Sequence, residues 1–137
     1  NMPRLSGVNL LGVLLAAIVM FFVGFVFYGM LFSEQWMAAR GYTADMAADA
    51  NPVWMAGGFL IELVLAFGLG WVLKLKGAKG LSACVSTALM LAVVVVLPVS
   101  SYEYVYGFYH SLPGLLVDWG HMLVGMGLAG AVLSFFD

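Results

Sequence analysis

Three side chains in this sequence are placed to do chemistry together: Glu62, Asp118 and His121. Two carboxylates and an imidazole can hold a ligand by hydrogen bonds, pass a proton, or ligate a metal. Each lies in or beside a long apolar run, where an ionisable group costs several kcal/mol, about 3 by insertion scales, unless it is paired, protonated or hydrated. Glu62 is the only charge in Trp54–Leu73. Asp118 precedes His121 by three residues, so a helix would put both on overlapping faces. If each run is a helix rising about 1.5 Å per residue, Glu62 lies about 12 Å and His121 about 9 Å from the same end. The matching depths make a Glu62–His121 hydrogen bond geometrically feasible. Tyr28, near the end of another apolar run, and His110, in a tyrosine-rich link, complete the candidate ligand-binding set.

The elements that must position these groups follow from composition. Of 137 residues, 64% are hydrophobic and 9% charged, against roughly 45–50% and about 25% in soluble domains. Mean hydropathy is +1.07. Seven acids, five bases and a net charge of −2 leave no basic block, which argues against nucleic acid as a partner. The single cysteine, Cys84, excludes an internal disulfide and a cysteine cluster for zinc.

A membrane-crossing helix needs about 20 apolar residues, and four stretches qualify: 10–32, 54–73, 81–101 and 115–136. Their continuous apolar character favours helices over a barrel. The expected fold is an all-α integral membrane protein, one domain over residues 1–137 forming a four-helix transmembrane bundle with a short external cap. Pro98 is expected to bend or end the third span. The first stretch is too long for a signal-peptide core and no small-residue cleavage site follows it, so it is expected to be retained.

The link after the second span holds Lys74, Lys76 and Lys79, and Arg4 precedes the first, while the opposite links carry Glu34, Asp45, Asp49 and Glu103 with Arg40. The positive-inside rule then puts both termini in the cytoplasm. Trp36, Trp54, Trp119 and Trp71 fall at span boundaries as interfacial anchors. In the cap, Ser33–Arg40 reads as an interfacial helix with Trp36 and Met37 toward lipid, stopped by Gly41. Thr43 reads as the cap of a further short turn running to Ala50.

Small residues recur along three spans: Gly58, Ala66 and Gly70 around Glu62; Gly12, Ala16 and Gly24 with Met20 and Tyr28; and Gly125, Ala129 and Gly130. Such bands let helices approach closely in lipid, and this places Glu62 toward protein. Ser82, Cys84, Ser86 and Thr87 are expected to bond to carbonyls of their own helix.

The stretch Gly24-Phe25-Val26-Phe27-Tyr28-Gly29-Met30-Leu31-Phe32 followed by Trp36, and the stretch Asp118-Trp119-Gly120-His121-Met122-Leu123-Val124, resemble a bacterial family of four-span proteins, domain of unknown function 1761. Members often carry proline after the first-span tyrosine, where this chain has Gly29-Met30. The resemblance implies the bacterial cytoplasmic (inner) membrane and no particular activity.

Three roles stay open for the polar group: a clasp fixing helix order, a ligand or proton site opening outward, or a metal or catalytic centre. No tight ligand motif supports the metal, and no cofactor is expected beyond a bound lipid or apolar small molecule. The leading functional reading is a non-enzymatic binding or interaction protein. Its rivals are a proton-coupled transporter or small intramembrane enzyme using Glu62 and His121, and an accessory subunit of a larger membrane complex. The lipid bilayer is the expected surrounding, with self-association or docking into a larger complex through the glycine bands.

Overall fold

The structure, a computed structural model, describes residues 2–136. A two-stranded antiparallel ribbon, β1 (Arg4–Leu5) and β2 (Val8–Asn9), opens the described chain. Its two-residue turn, Ser6-Gly7, has positive φ at both positions (53° and 80°), as a type I′ hairpin turn requires. Asn9 then caps helix α1 (Leu10–Gly24), its side chain accepting from the amides of Leu11 and Gly12. The first span continues without a break as a π-helical segment, Phe25–Leu31.

The cap consists of helix α2 (Ser33–Arg40) and helix α3 (Ala44–Ala48). Gly41 ends α2 in the left-handed region (φ 69°), and the Tyr109 ring lies where a side chain on residue 41 would begin. Thr43 caps α3 by accepting from Met46 N. Trp36 does not turn simply to lipid: it is half-buried, with its ring against Tyr28 and Tyr42 at 5.6 and 5.3 Å.

The second span is α4 (Val53–Lys76), stopped by Gly77 in the left-handed region, with Ala78 N bonding back to the Leu73 carbonyl. The third runs from Leu81 to Tyr106, 26 residues, as α5 (Leu81–Leu91), a π segment (Ala92–Val96), α6 (Leu97–Ser100) and α7 (Tyr102–Tyr106). Pro98 therefore does not end it. The widened turn just before the proline moves the carbonyl that its ring would otherwise strike, so the helix goes on. Tyr102, Tyr104 and Tyr106 accordingly stand on a helix rather than in a loop. The fourth span, α8 (Leu112–Leu133), starts earlier than expected because Ser111 caps it and Pro113 suits a first turn.

All four helices are long and apolar enough to cross a membrane, which makes this a multi-pass membrane protein with an all-α four-helix bundle. We call its two ends the basic end, with Arg4, Lys74, Lys76 and Lys79, and the cap end, with α2 and α3. Spans 1 and 4 form a central pair; α4 packs on α1, and α5 packs on α8. Ala16, Ala17, Ala66, Ala88, Ala92 and Ala129 are wholly buried along these seams. Spans 2 and 3 are tied near their short link, where Lys76 Nζ donates to Thr87 Oγ1 at 2.9 Å, and their mutual contact lies mainly along α5. Ser86 and Thr87 donate to the Ala83 carbonyl of their own helix, as expected.

Close approach sets the stability of the α5–α8 seam. A Cβ at Gly130 would lie 2.8 Å from both the Ala88 methyl and the Cys84 carbonyl oxygen, whereas one at Gly68 would meet nothing within 4 Å. Gly130→Ala is expected to cost about 1–3 kcal/mol through overpacking. Gly68→Ala should change stability by no more than about 0.5 kcal/mol. Reversible unfolding in mixed micelles measures both.

Candidate functional site

Two polar groupings occupy the cap half, one fully compensated and one not. In the first, the carboxylate of Asp118 accepts from the Tyr28 hydroxyl at 2.6 Å and from Arg40 Nη2 at 3.1 Å. Arg40 also approaches Glu103 at 3.7 Å. Each partner comes from a different element: Tyr28 from the π segment of span 1, Arg40 from the last turn of α2, Glu103 from α7, Asp118 from α8. The cluster thus fastens the cap to three spans. Arg40 was not foreseen as a member; as the lone base among the cap-side acids, it is the residue that charge balance would have selected. The Trp119 indole adds a further tie by donating to Ser101 Oγ at 2.9 Å.

The second grouping lies deeper. Glu62 and His121 each sit nine residues beyond their helix starts, about 14 Å along the axis. Both line a cavity of about 70 Å3 whose other walls include Met20, Leu65, Val96 and Met126. The hydrogen bond that their depths allow between them is not formed. Nδ1 of His121 is buried without a hydrogen-bond partner, and Glu62 makes no hydrogen bond among the described residues. The two helices match in depth, but the cavity separates their polar atoms. Such a volume has room for water or for the polar end of a small molecule, since about 10–15 Å3 of this measure holds one water.

His121 is held from the side of span 1. Its ring packs edge-on to Tyr28 at 4.9 Å and Phe27 at 5.8 Å. Gly24 gives the imidazole room: a Cβ there would lie 3.4 Å from Nε2. The Tyr28 ring therefore joins the two groupings, one edge on the imidazole and its hydroxyl on Asp118.

Of the five candidate residues, Tyr28, Asp118 and His121 come together, and Glu62 shares the His121 cavity. His110 does not join them. It is exposed, and its Nδ1 meets the Tyr104 carbonyl oxygen at 2.6 Å. Tyr102 and Tyr106 stack on each other and remain exposed, while Tyr104 and Tyr109 border the Arg40–Asp118 cluster. Among the described residues, no three His, Cys, Asp or Glu side chains converge as a metal site would require.

The cluster predicts unequal costs. Tyr28→Phe removes a hydrogen bond to a carboxylate and is expected to cost about 1.5–3 kcal/mol. Glu103→Gln touches a longer, exposed pair and should cost no more than about 0.5 kcal/mol. Thermal unfolding of the two variants in one detergent makes the comparison.

No curated protein and no solved structure matches the chain. The model of one family, described as "Protein of unknown function (DUF1761)", matches residues 11–134 and so takes in all four spans, the Asp118 cluster and the Glu62–His121 cavity. The chain belongs to the DUF1761 family.

Proposed function

We propose that this protein binds a lipid-soluble small molecule through the cleft holding Glu62 and His121, and that it does so as a non-enzymatic binding protein of the bacterial cytoplasmic membrane with both termini inside. The observation that carries the reading is the buried, unpartnered Nδ1 of His121 in a cavity shared with Glu62 and otherwise lined by apolar side chains. A buried polar atom without a partner costs about 1–3 kcal/mol. A ligand or water that supplies the missing hydrogen bond recovers that cost. The cleft is walled mainly by spans 2 and 4, with Val96 of span 3 at its side, and Ile61, one of its lining residues, is 60% exposed on the lipid-facing surface. An apolar molecule can therefore reach the two polar groups sideways from the bilayer, leaving its body among Leu65, Val96 and the acyl chains.

Binding is favoured over proton-coupled passage by what lies toward the basic end. There the helices close on Ala16, Ala66, Ala88 and Ala129, all wholly buried, and among the described residues of that core no carboxylate, histidine, lysine or arginine appears. The orientation rests on the three lysines and Arg4 at one end.

Mass spectrometry of organic extracts from protein purified in mild detergent tests the reading. A small molecule should co-purify with the natural protein. It should be lost, at least tenfold, from Glu62→Gln/His121→Leu and from Val96→Phe, which fills the cleft from the side. Both variants should stay folded with cooperative unfolding transitions, because neither touches the hydrogen bonds of the Asp118 cluster. Retention of the molecule in both variants, or its absence from the natural protein, would rule the reading out. Separately, a fluorescent-protein fusion after residue 137 should fluoresce and an alkaline-phosphatase fusion there should be inactive; the reverse pattern refutes the orientation.

A further inference from the structure

At the basic end, the ribbon turn meets the last turns of α4 and α8, and two cations converge there. Arg4 Nη1 donates to the Gly7 carbonyl at 2.8 Å, which fastens the guanidinium to the turn. The Lys74 stem crosses the same turn: a Cβ at Gly7 would lie 3.0 Å from Lys74 Cε and 3.7 Å from its Nζ. Arg4, Lys74 and Asn9 line one small cavity of about 30 Å3 with Gly70 and Phe136, and no acid is among its described lining residues. Neither Arg4 nor Lys74 forms an ion pair among the described residues.

Asn9 gives an independent indication. Only 5% of it is exposed, and while its side-chain oxygen caps α1, its Nδ2 donates to the thioether of Met2 at 3.2 Å. Thioether sulfur is a weak acceptor, so a buried amide donor at the cavity has no strong acceptor. We propose that Arg4, Lys74 and the Asn9 side-chain amide form a site for the phosphate of an anionic phospholipid.

The surroundings select a lipid over a free anion. Leu5, Trp71, Leu75 and Phe135 are exposed around this end, at 56%, 47%, 74% and 76%. Such side chains suit acyl chains and the headgroup boundary, and basic pockets between helix ends are where anionic headgroups bind. Helix dipoles do not help here. The ends of α4 and α8 at this level are carbonyl ends, which repel an anion, and the first amides of α1 are already taken by Asn9 and by the Pro3 carbonyl. The side chains must therefore hold the phosphate.

The test uses the full chain in neutral detergent, with unfolding temperature and native mass spectrometry read against added phosphatidylglycerol, phosphatidylcholine or inorganic phosphate. Phosphatidylglycerol should bind and stabilise the natural protein, and the other two should not. Arg4→Gln and Lys74→Gln should each weaken it about fivefold, the equivalent of ~1 kcal/mol per base near a headgroup. Lys79→Gln, a base of the same end that does not line the cavity, should leave binding unchanged. Asn9→Asp is the decisive variant: aspartate still caps α1, so the fold is kept, while a carboxylate replaces the amide donor and binding should be lost. Equal stabilisation by phosphatidylcholine or by inorganic phosphate overturns the proposal. So does a loss in Lys79→Gln as large as in Lys74→Gln, or undiminished binding in a folded Asn9→Asp.

Discussion

The close approach of spans 1 and 4 governs the rest of this molecule. In lipid, apolar helices gain nothing by leaving solvent, so association depends on packing and on hydrogen bonds between helices. The central pair meets over Ala16, Ala17, Met20, Gly125 and Ala129, all buried. With that axis in place, α4 and α5 attach to different members of the pair and are tied to each other near their short link at the basic end, where Lys76 bonds to Thr87. They need not close at the cap end. The cleft with Glu62 and His121 is what that arrangement leaves between them.

Two carboxylates in the cap half are treated in opposite ways. Asp118 has a hydroxyl and a guanidinium on it, drawn from span 1 and the cap, so its charge is matched where it lies. Glu62 has a cavity, and the imidazole across it lacks a bond at Nδ1. A group that served only to fix helix order would be expected to look like Asp118, since half-satisfied buried polar groups weaken a fold. The contrast sets a clasped carboxylate beside an unclasped one within one protein, and the Tyr28 side chain touches both groupings.

Much of this was legible in the sequence because the membrane simplifies the problem. Span number, the stop at Gly41, the Thr43 cap and the small-residue seams all follow from local rules. Depth was also legible: counting residues put Glu62 and His121 at one level. Rotation about each helix axis was not, because a seam drifting along a helix fixes a face only broadly, and the Glu62–His121 bond that the matching depths allow is not formed. Arg40 was hidden for another reason. Its partner is 78 residues away, and nothing local marks the end of α2 as folding back over α8. His110, a chemically suitable residue in a suggestive link, lies apart from the others and meets the Tyr104 backbone carbonyl.

The π-helical segments, which no periodicity announced, complete the account. One covers Phe25–Leu31 and the other Ala92–Val96, so both interrupted spans change winding in their cap halves, beside the polar groups. A π turn takes in one more residue than an α turn and rotates everything beyond it. In span 1 that region carries both Phe27 and Tyr28, which pack on His121, with the Tyr28 hydroxyl reaching Asp118. In span 3 it precedes Pro98 and brings Val96 to the cleft wall. A regular α-helix through the same residues would point these side chains elsewhere. The irregular winding is therefore part of how a nearly featureless apolar sequence assembles a polar site inside a membrane-spanning bundle.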